Sequence, residues 1–511
     1  MKPALARPRG VALLCGLLTL LAALTGLAVL GQTRPAAAQA AYNMYLPWVP
    51  NGDTLNGQGP WHGKVSFQNL SASQCAVAIY VGRTGSWHQT AQLSVTPFAV
   101  RSISASSLAV PEPGAPVRLE SFCPLAATAK ILLPDVLRTP WSDNAIIVTG
   151  YTALTQADVD AAQASASSGW FLPIVQTNSG WNSFVRIANL AEQTTLITLR
   201  LYAHDNQAGS AGAALTIQRA VEVGATINLD ILAELGVAEW VGYAELHADG
   251  PVTALVHRSK PDAATALTNV AVPGDTQLPG MYRLSAPLLF TGYNDWNTGI
   301  NLANISDQVA NVTISYFAAA GGFVREEYLA IAPRSMQYIY TPAHVTEEAF
   351  VGSGLIQSDV PIVAAIDEVK YTTIEALSYL ASSVPQVWAA IPITFREDPA
   401  RGRYDNSGIN IHNMNPDAEQ TVEITFLSNT GEPVLPEPIP LTLPAGSNDF
   451  IYLPEIEDFP PGTVAAARIT SSDAAGFVAV SNDVNYVVAG DGSVVFSAAG
   501  VDGYLRLVAT P

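Results

Sequence analysis

The sequence predicts an all-β protein, four tandem β-sandwich domains behind an N-terminal signal peptide. Three observations lead there. An apolar leader ends in a small-residue cleavage pattern. A segment built on one asparagine recurs four times. Alternating apolar and polar residues, punctuated by turn residues, fill each copy.

Residues 1–40 read as the signal peptide. Lys2, Arg7 and Arg9 form a positive start, residues 11–30 are an apolar run, and Ala38-Gln39-Ala40 supplies the small-x-small exit before Ala41. An uncleaved anchor is the alternative, because the run is long enough to span a bilayer. Cys15 lacks the small preceding residue of a lipoprotein cysteine, since Leu14 stands there. With the leader removed, two cysteines remain, Cys75 and Cys123. An even count in an exported chain favours one disulfide, with two buried free thiols as the other reading.

Only 13% of the 511 residues are charged, against about 25% in an average domain. The leader holds four bases and no acid, so the remainder has 20 bases against 43 acids, a net charge of −23. That balance excludes nucleic acid and anionic lipid as expected partners, since both need clustered Lys and Arg. No later run approaches a membrane span, so no membrane insertion is expected after cleavage. Thr, Ser, Asn, Gly and Ala are expected to cover the solvent faces of the strands, with the net charge opposing edge-to-edge pairing.

The four copies align on Asn69, Asn189, Asn304 and Asn413, which stand 120, 115 and 109 residues apart. The segment before each asparagine begins Trp61-His62-Gly63, Trp181-Asn182-Ser183, Trp296-Asn297-Thr298-Gly299 and, without the Trp, Tyr404-Asp405-Asn406-Ser407-Gly408. It continues with alternating apolar residues (Val65/Phe67, Val185/Ile187, Ile300/Leu302, Ile409/Ile411), the period of a half-buried strand. A second strand is expected at 76–80, 196–202, 312–317 and 422–426. A hairpin with Asp, Gly or Pro in its turn is expected late in each copy. Strands at this spacing describe β-sandwiches. Only 155–166 and 230–235 suggest helices, and both are short.

A shorter motif opens each copy: Leu46-Pro47-Trp48-Val49, Leu172-Pro173-Ile174-Val175, Ala286-Pro287-Leu288-Leu289 and Ala390-Ile391-Pro392-Ile393. Residues 504–508 read as a fifth, with Arg506 for Pro. Proline suits an edge position, where no ladder N–H is needed. Each such connector is expected to close the preceding unit and lead into the next, giving a stiff linear array. The expected boundaries are 43–154, 170–278, 281–382 and 386–503 for the four repeats. Residues 155–169 form a linker and 504–511 a terminal connector-like strand.

With these motifs the chain resembles tandem immunoglobulin-like β-sandwich repeats of secreted and surface proteins of bacteria. The resemblance covers most of 43–503 and is sharpest at Trp181-Asn182-Ser183 and Trp296-Asn297-Thr298-Gly299. It implies four tandem immunoglobulin-like domains, exported or surface-displayed, and it carries no catalytic residues.

The chemistry-bearing residues support no enzyme. Seven histidines are scattered without ligand spacing, and no nucleophile elbow or phosphate-binding glycine motif occurs. Glu326-Glu327 and Glu347-Glu348 are adjacent acids whose side chains leave a strand on opposite faces, unsuited to a glycosidase pair. No cofactor is expected. Calcium is the one candidate metal, through loops at Asp398 with Asp405-Asn406 or at Asp491-Gly492-Ser493, against ordinary Asx turns. Trp61, Trp181 and Trp296 are expected to pack in each core, with sugar stacking as the alternative. The repeated asparagines are expected to cap turns and to accept a left-handed backbone. The expected function is a non-enzymatic structural, adhesive or spacer protein of the bacterial cell surface, and a carbohydrate- or polymer-binding array is the second reading. Its partners would be a cell-surface polymer, another surface protein or itself.

Overall fold

The computed structural model describes residues 42–134, 145–164, 169–205, 214–261, 265–274, 282–319, 321–370, 375–398, 403–488, 494–496 and 503–504. The expected signal peptide and its cleavage site, residues 165–168 of the expected linker, residues 489–493 and residues 505–511 lie outside them. The described chain is mostly antiparallel strand, arranged in sandwich-like pairs of sheets. Repeat 2 forms a five-stranded and a four-stranded sheet, and repeat 3 forms two four-stranded sheets. In repeats 1 and 4 the opening strand also pairs with the strand that follows it, so nine strands join into one continuous sheet.

Alternation places the apolar side chains. In Thr195–Ala203, Ile197, Leu199 and Leu201 are buried while the intervening Leu196 is exposed. The strand carrying the repeated asparagine departs from this pattern. Asn182–Asn189 is buried at every residue, because its polar face is covered as fully as its apolar one. That face had been expected to meet solvent; instead it meets a neighbouring repeat.

The covering element is the opening strand of the preceding repeat. The openers are Tyr42–Leu55, Trp170–Gln176, Tyr282–Thr291 and Trp388–Arg396. Each pairs within its own repeat, with Gly114–Ser121, Val241–Ala248, Phe350–Ser358 and Thr463–Ser471 respectively. It does not close the preceding unit, as the sequence had suggested. At the proline motif every ladder skips two residues, between Leu46 and Val49, Leu172 and Val175, Ala286 and Leu289, and Ile391 and Thr394. Proline has no N–H to lose there, so a bulge at this point sacrifices little. In repeats 1 and 3 a tyrosine from the last strand completes the bulge. Tyr151 Oη donates to Trp48 O and accepts from Trp48 N, and Tyr379 Oη does the same with Leu288.

The outer side of each opener packs on the next repeat's asparagine strand and on the strand paired with it. Repeat 1 packs on repeat 2, 2 on 3, 3 on 4, and the opener of repeat 4 packs on Gln58–Asn69 and Leu125–Pro134 of repeat 1. The last strands follow the same order. Ala145–Thr152 touches Thr265–Val270, which touches Glu375–Leu380, and Gly503–Tyr504 touches both Glu375–Leu380 and Ala145–Thr152. The four repeats therefore close into a ring, not the expected linear array. A bulged strand that buries one face on its neighbour propagates rotation as well as translation, and here the rotation closes.

Within the expected linker, the helix candidate at 155–166 is a helix, Gln156–Gln163, capped by Thr155 and Asp158 in a capping box, with Val159 and Ala162 buried. The expected late hairpin is a crossover: Val241–Ala248 and Val252–Lys260 lie in different sheets, with Asp249-Gly250-Pro251 turning between them. The disulfide between Cys75 and Cys123 is present, with a Cα separation of 6.0 Å. It ties one end of Cys75–Arg83 to the turn after Gly114–Ser121, and these strands are neighbours in one sheet.

No covalent link holds the junction of repeat 4 with repeat 1, so its fit can be tested separately. Gly431 has φ +92°, and a Cβ there would lie 1.8 Å from Pro97 O of repeat 1; Gly85 has the same φ and nothing within 4 Å. Gly85→Ala should cost only backbone strain, roughly 1–2 kcal/mol. Gly431→Ala should also pry this junction apart, raising the radius of gyration in solution scattering and admitting protease near residue 97. Equal behaviour of the two variants would count against a closed ring.

Candidate functional site

The repeated asparagines are fully buried hubs. In each, Oδ1 accepts the N–H two residues on, from Ser71, Ala191, Ser306 or Asn415, at 2.8–2.9 Å. Nδ2 donates to a carbonyl four or five residues on, Ser73, Gln193, Gln308 or Ala418. It also reaches the carbonyls that end the strand at the sheet's outer edge, Val95, Val221, Ile331 and Leu443. One amide thus fixes a turn and joins the two sheets. None of the four has positive φ. The side chain, not a left-handed backbone, turns the chain.

The Ser/Thr of the Trp-Asn-Ser/Thr motif holds the opener. Ser183 Oγ, Thr298 Oγ1 and Ser407 Oγ accept from Gln176 N, Phe290 N and Phe395 N, each at 2.8 Å, just past the bulge. In repeat 1 the position is Gly63, where a Cβ would lie 2.5 Å from Val49, so direct backbone packing replaces the clamp.

The tryptophans do not share one role. Trp61 is buried at the first junction, edge-on to His257 of repeat 2 at 5.1 Å. Trp181 is half-buried. Trp296 is half-buried beside Phe290, which stacks on the exposed Tyr293. A packing position repeated in every core is therefore not what the structure contains.

Polar chemistry concentrates at the junctions, and each junction uses different groups. Between repeats 1 and 2, Arg186 pairs with Asp53 at 2.5 Å and lies over the Trp48 ring at 4.3 Å. Nearby His257 donates to or accepts from Thr268, and burial holds its pKa down at about 3. Between repeats 2 and 3, Arg258 grips both oxygens of Asp367, with Asn269, Ser378 and Asn301 completing the network. At its rim Arg334 bridges Glu245 and Asp307. Between repeats 3 and 4, Ser285 Oγ meets His412 Nδ1 at 2.6 Å, and burial lowers this histidine to about 4.

The closing junction is built on Lys130. Its Nζ lies 2.6 Å from Asp405 Oδ2 and 4.5 Å from the centre of the Phe395 ring. Burial disfavours its charge, but Asp405 and Asp483 outweigh that and hold its pKa above the ordinary value. Asp483 accepts from Ser407, and burial raises its pKa to about 7. Glu397 accepts from Asp405 N at 2.9 Å. One lysine thus faces three carboxyl groups out of solvent.

Asp405 and Asn406, read from sequence as half of a calcium loop, are engaged here with Lys130 and Tyr452; Asp491-Gly492-Ser493 lies outside the described residues. Among the described residues no group of three or more His, Cys, Asp or Glu is placed to hold a metal. Glu326 and Glu327 point to different partners, Ser315 and Tyr316. The sequence reading missed Arg186, Arg258, Lys130 and the bulge tyrosines. The available signal was a polar residue three before each asparagine (Ser66, Arg186, Asn301, Asn410), all buried.

No family model matches the chain, and no curated protein matches it. A solved structure described as Thermotoga maritima 1070 is similar at 12% identity over 21% of this chain and 97% of its own, with a TM-score of 0.19.

Removing one asparagine hub, Asn189→Ala, deletes four hydrogen bonds and strands buried carbonyls, so it should destabilise repeat 2 by roughly 3 kcal/mol. Unchanged thermal unfolding would overturn the structural role. Asp483 has a raised folded pKa, so its contribution to stability is full at low pH and is lost as pH rises from about 4 through 7. Asp483→Asn should therefore gain stability relative to the native chain progressively across that window in paired melting curves. A difference independent of pH would refute the burial of a proton there.

Proposed function

We propose that this chain is a non-enzymatic, exported display scaffold: four immunoglobulin-like β-sandwich domains closed into a ring at or near the cell surface of a bacterium. The observation that carries the reading is where the motif residues go. The proline bulges, the Ser/Thr clamps, the asparagine hubs and the buried Arg–Asp and Lys–Asp pairs all serve to build repeats or join them. A ring of this kind presents loops and strand edges around a fixed frame, so display fits it better than an extended spacer. The leader and the disulfide-forming cysteines support export.

A second reading, binding of a glycan or other surface polymer, is favoured by one feature. Tyr338 and Tyr340 stack at 6.4 Å on the peripheral strand of repeat 3, and Phe450 and Tyr452 occupy the same register in repeat 4. Tyr338 and Phe450 are each 45% exposed. Aromatic faces of this kind stack on the apolar faces of sugar rings. The two readings separate in a polysaccharide pull-down with the native chain and the Tyr338→Ala/Tyr340→Ala variant. Capture lost at least tenfold in the variant would establish the second reading; no capture by either protein leaves the scaffold reading standing alone.

A further inference from the structure

Each repeat ends its outer sheet in a strand that pairs on one side only: Ser86–Val95, Leu215–Val221, Phe323–Ile331 and Ile439–Leu443. Three of these edges are blunted. Ser86–Val95 is interrupted by a bulge at Thr90, Leu215–Val221 is short, and Ile439–Leu443 is shorter still and contains Pro440. Phe323–Ile331 is nine residues long; its bulge lies at Val324, next to its start, and its register is regular from Arg325 to Ile331. It also carries the two most exposed large apolar side chains among the described residues, Phe323 at 59% and Tyr328 at 74%.

We propose that this edge is a homodimerisation surface, on which a second copy of the chain adds its own Phe323–Ile331 strand antiparallel. The occupant is assigned by self-complementarity. A twofold axis at Glu326 sets Arg325 of each copy against Glu327 of the other. The bulge at Val324 brings the apolar Val324 and Phe323 of each copy alongside, not directly opposite, Tyr328 and Leu329 of the other. Directly opposed side chains on paired strands share a face, so the two charge pairs form together. Within one copy, Arg325 donates to His344 O, and Glu327 faces His344 Nδ1 at 2.7 Å with one oxygen and accepts from Tyr316 at 3.4 Å with the other; the remaining guanidinium donors and the second lone pair of each carboxylate oxygen can meet the partner. Glu326, held by Ser315 and Tyr328, meets its own symmetry mate. That like-charge pair limits the affinity and makes the dimer reversible. An isologous pairing of this kind stops at two, because it consumes the edge on both copies.

Charge reversal tests the register. In sedimentation equilibrium of the purified full chain, the native protein should show a concentration-dependent monomer–dimer equilibrium. Arg325→Glu and Glu327→Arg, each alone, should weaken dimerisation about tenfold or more, since two attractive pairs become repulsive. An equimolar mixture of the two variants should dimerise again, and the double reversal should dimerise like the native chain. Those two results also show that the single variants fold. Glu326→Gln should tighten the dimer. A native chain that stays monomeric at every concentration, single reversals that dimerise normally, or a mixture that does not recover would each overturn the proposal.

Discussion

The bulge in each opening strand is the constraint on which the rest of the structure depends. A regular edge strand could pair with its own sheet or pack against a neighbour, but it would not do both with the same residues. Skipping two residues at the proline frees a short stretch to stand out from the ladder while the strand stays paired on either side. That stretch covers the polar face of the next repeat's asparagine strand. Once covered, the face has to find partners inside the protein, because an unpaired buried polar group is costly. The Ser/Thr clamp, the bulge tyrosines and the junction ion pairs follow from that single requirement.

Closure adds a demand that the three tethered junctions do not face. Repeats joined by a few residues meet at high effective concentration, and modest contacts suffice to hold them. Repeats 4 and 1 are separated by almost the whole chain. Their junction combines the Lys130–Asp405 pair, the Lys130–Phe395 contact and hydrogen bonds from Thr96 and Arg101 to the carbonyls of Thr430 and Asn429. It is also where unneutralised carboxyl groups gather around one cation. Burial raises the Asp483 pKa to about 7, and the negative charges of Asp405 and Glu397 add to that rise against the pull of Lys130.

Most of the repeat was legible in the sequence, for reasons that are local. Alternation at Val185/Ile187 and Ile300/Leu302 marked strands because one face of each lines its own core. The two short helix candidates at 155–166 and 230–235 both hold helices, and Thr155 and Asp230 cap them through bonds to nearby residues. The disulfide followed from an even cysteine count. The junctions were not legible, and the ring with them. Alternating Val185-Arg186-Ile187 looks the same whether Arg186 faces water or lies against Asp53 and Trp48 of another repeat. Period-2 patterning reports which face is apolar; it does not report what covers the polar one. The asparagine was recognised as a turn residue, yet its bond to a strand end about 30 residues away depends on sheet pairing, which periodicity does not encode.

The differences between junctions then acquire a physical role. Four repeats with one architecture and one docking mode could dock in the wrong order during folding, the characteristic failure of tandem arrays. Identical interfaces would make the right and wrong pairings nearly equal in energy. Here the backbone geometry recurs while the buried chemistry does not. An arginine sits against an aspartate beside tryptophan at the first junction, and an arginine sits within an amide and hydroxyl network at the second. A serine meets a neutral histidine at the third, and a lysine faces three carboxyls at the fourth. Docking repeat 4 on repeat 2 would bury Arg186 without Asp53, and docking repeat 1 on repeat 3 would bury Asp367 without Arg258. Each mismatch leaves a charge unpaired out of water, a penalty of several kcal/mol. The polar groups that alternation assigned to solvent are what fix the order of the ring.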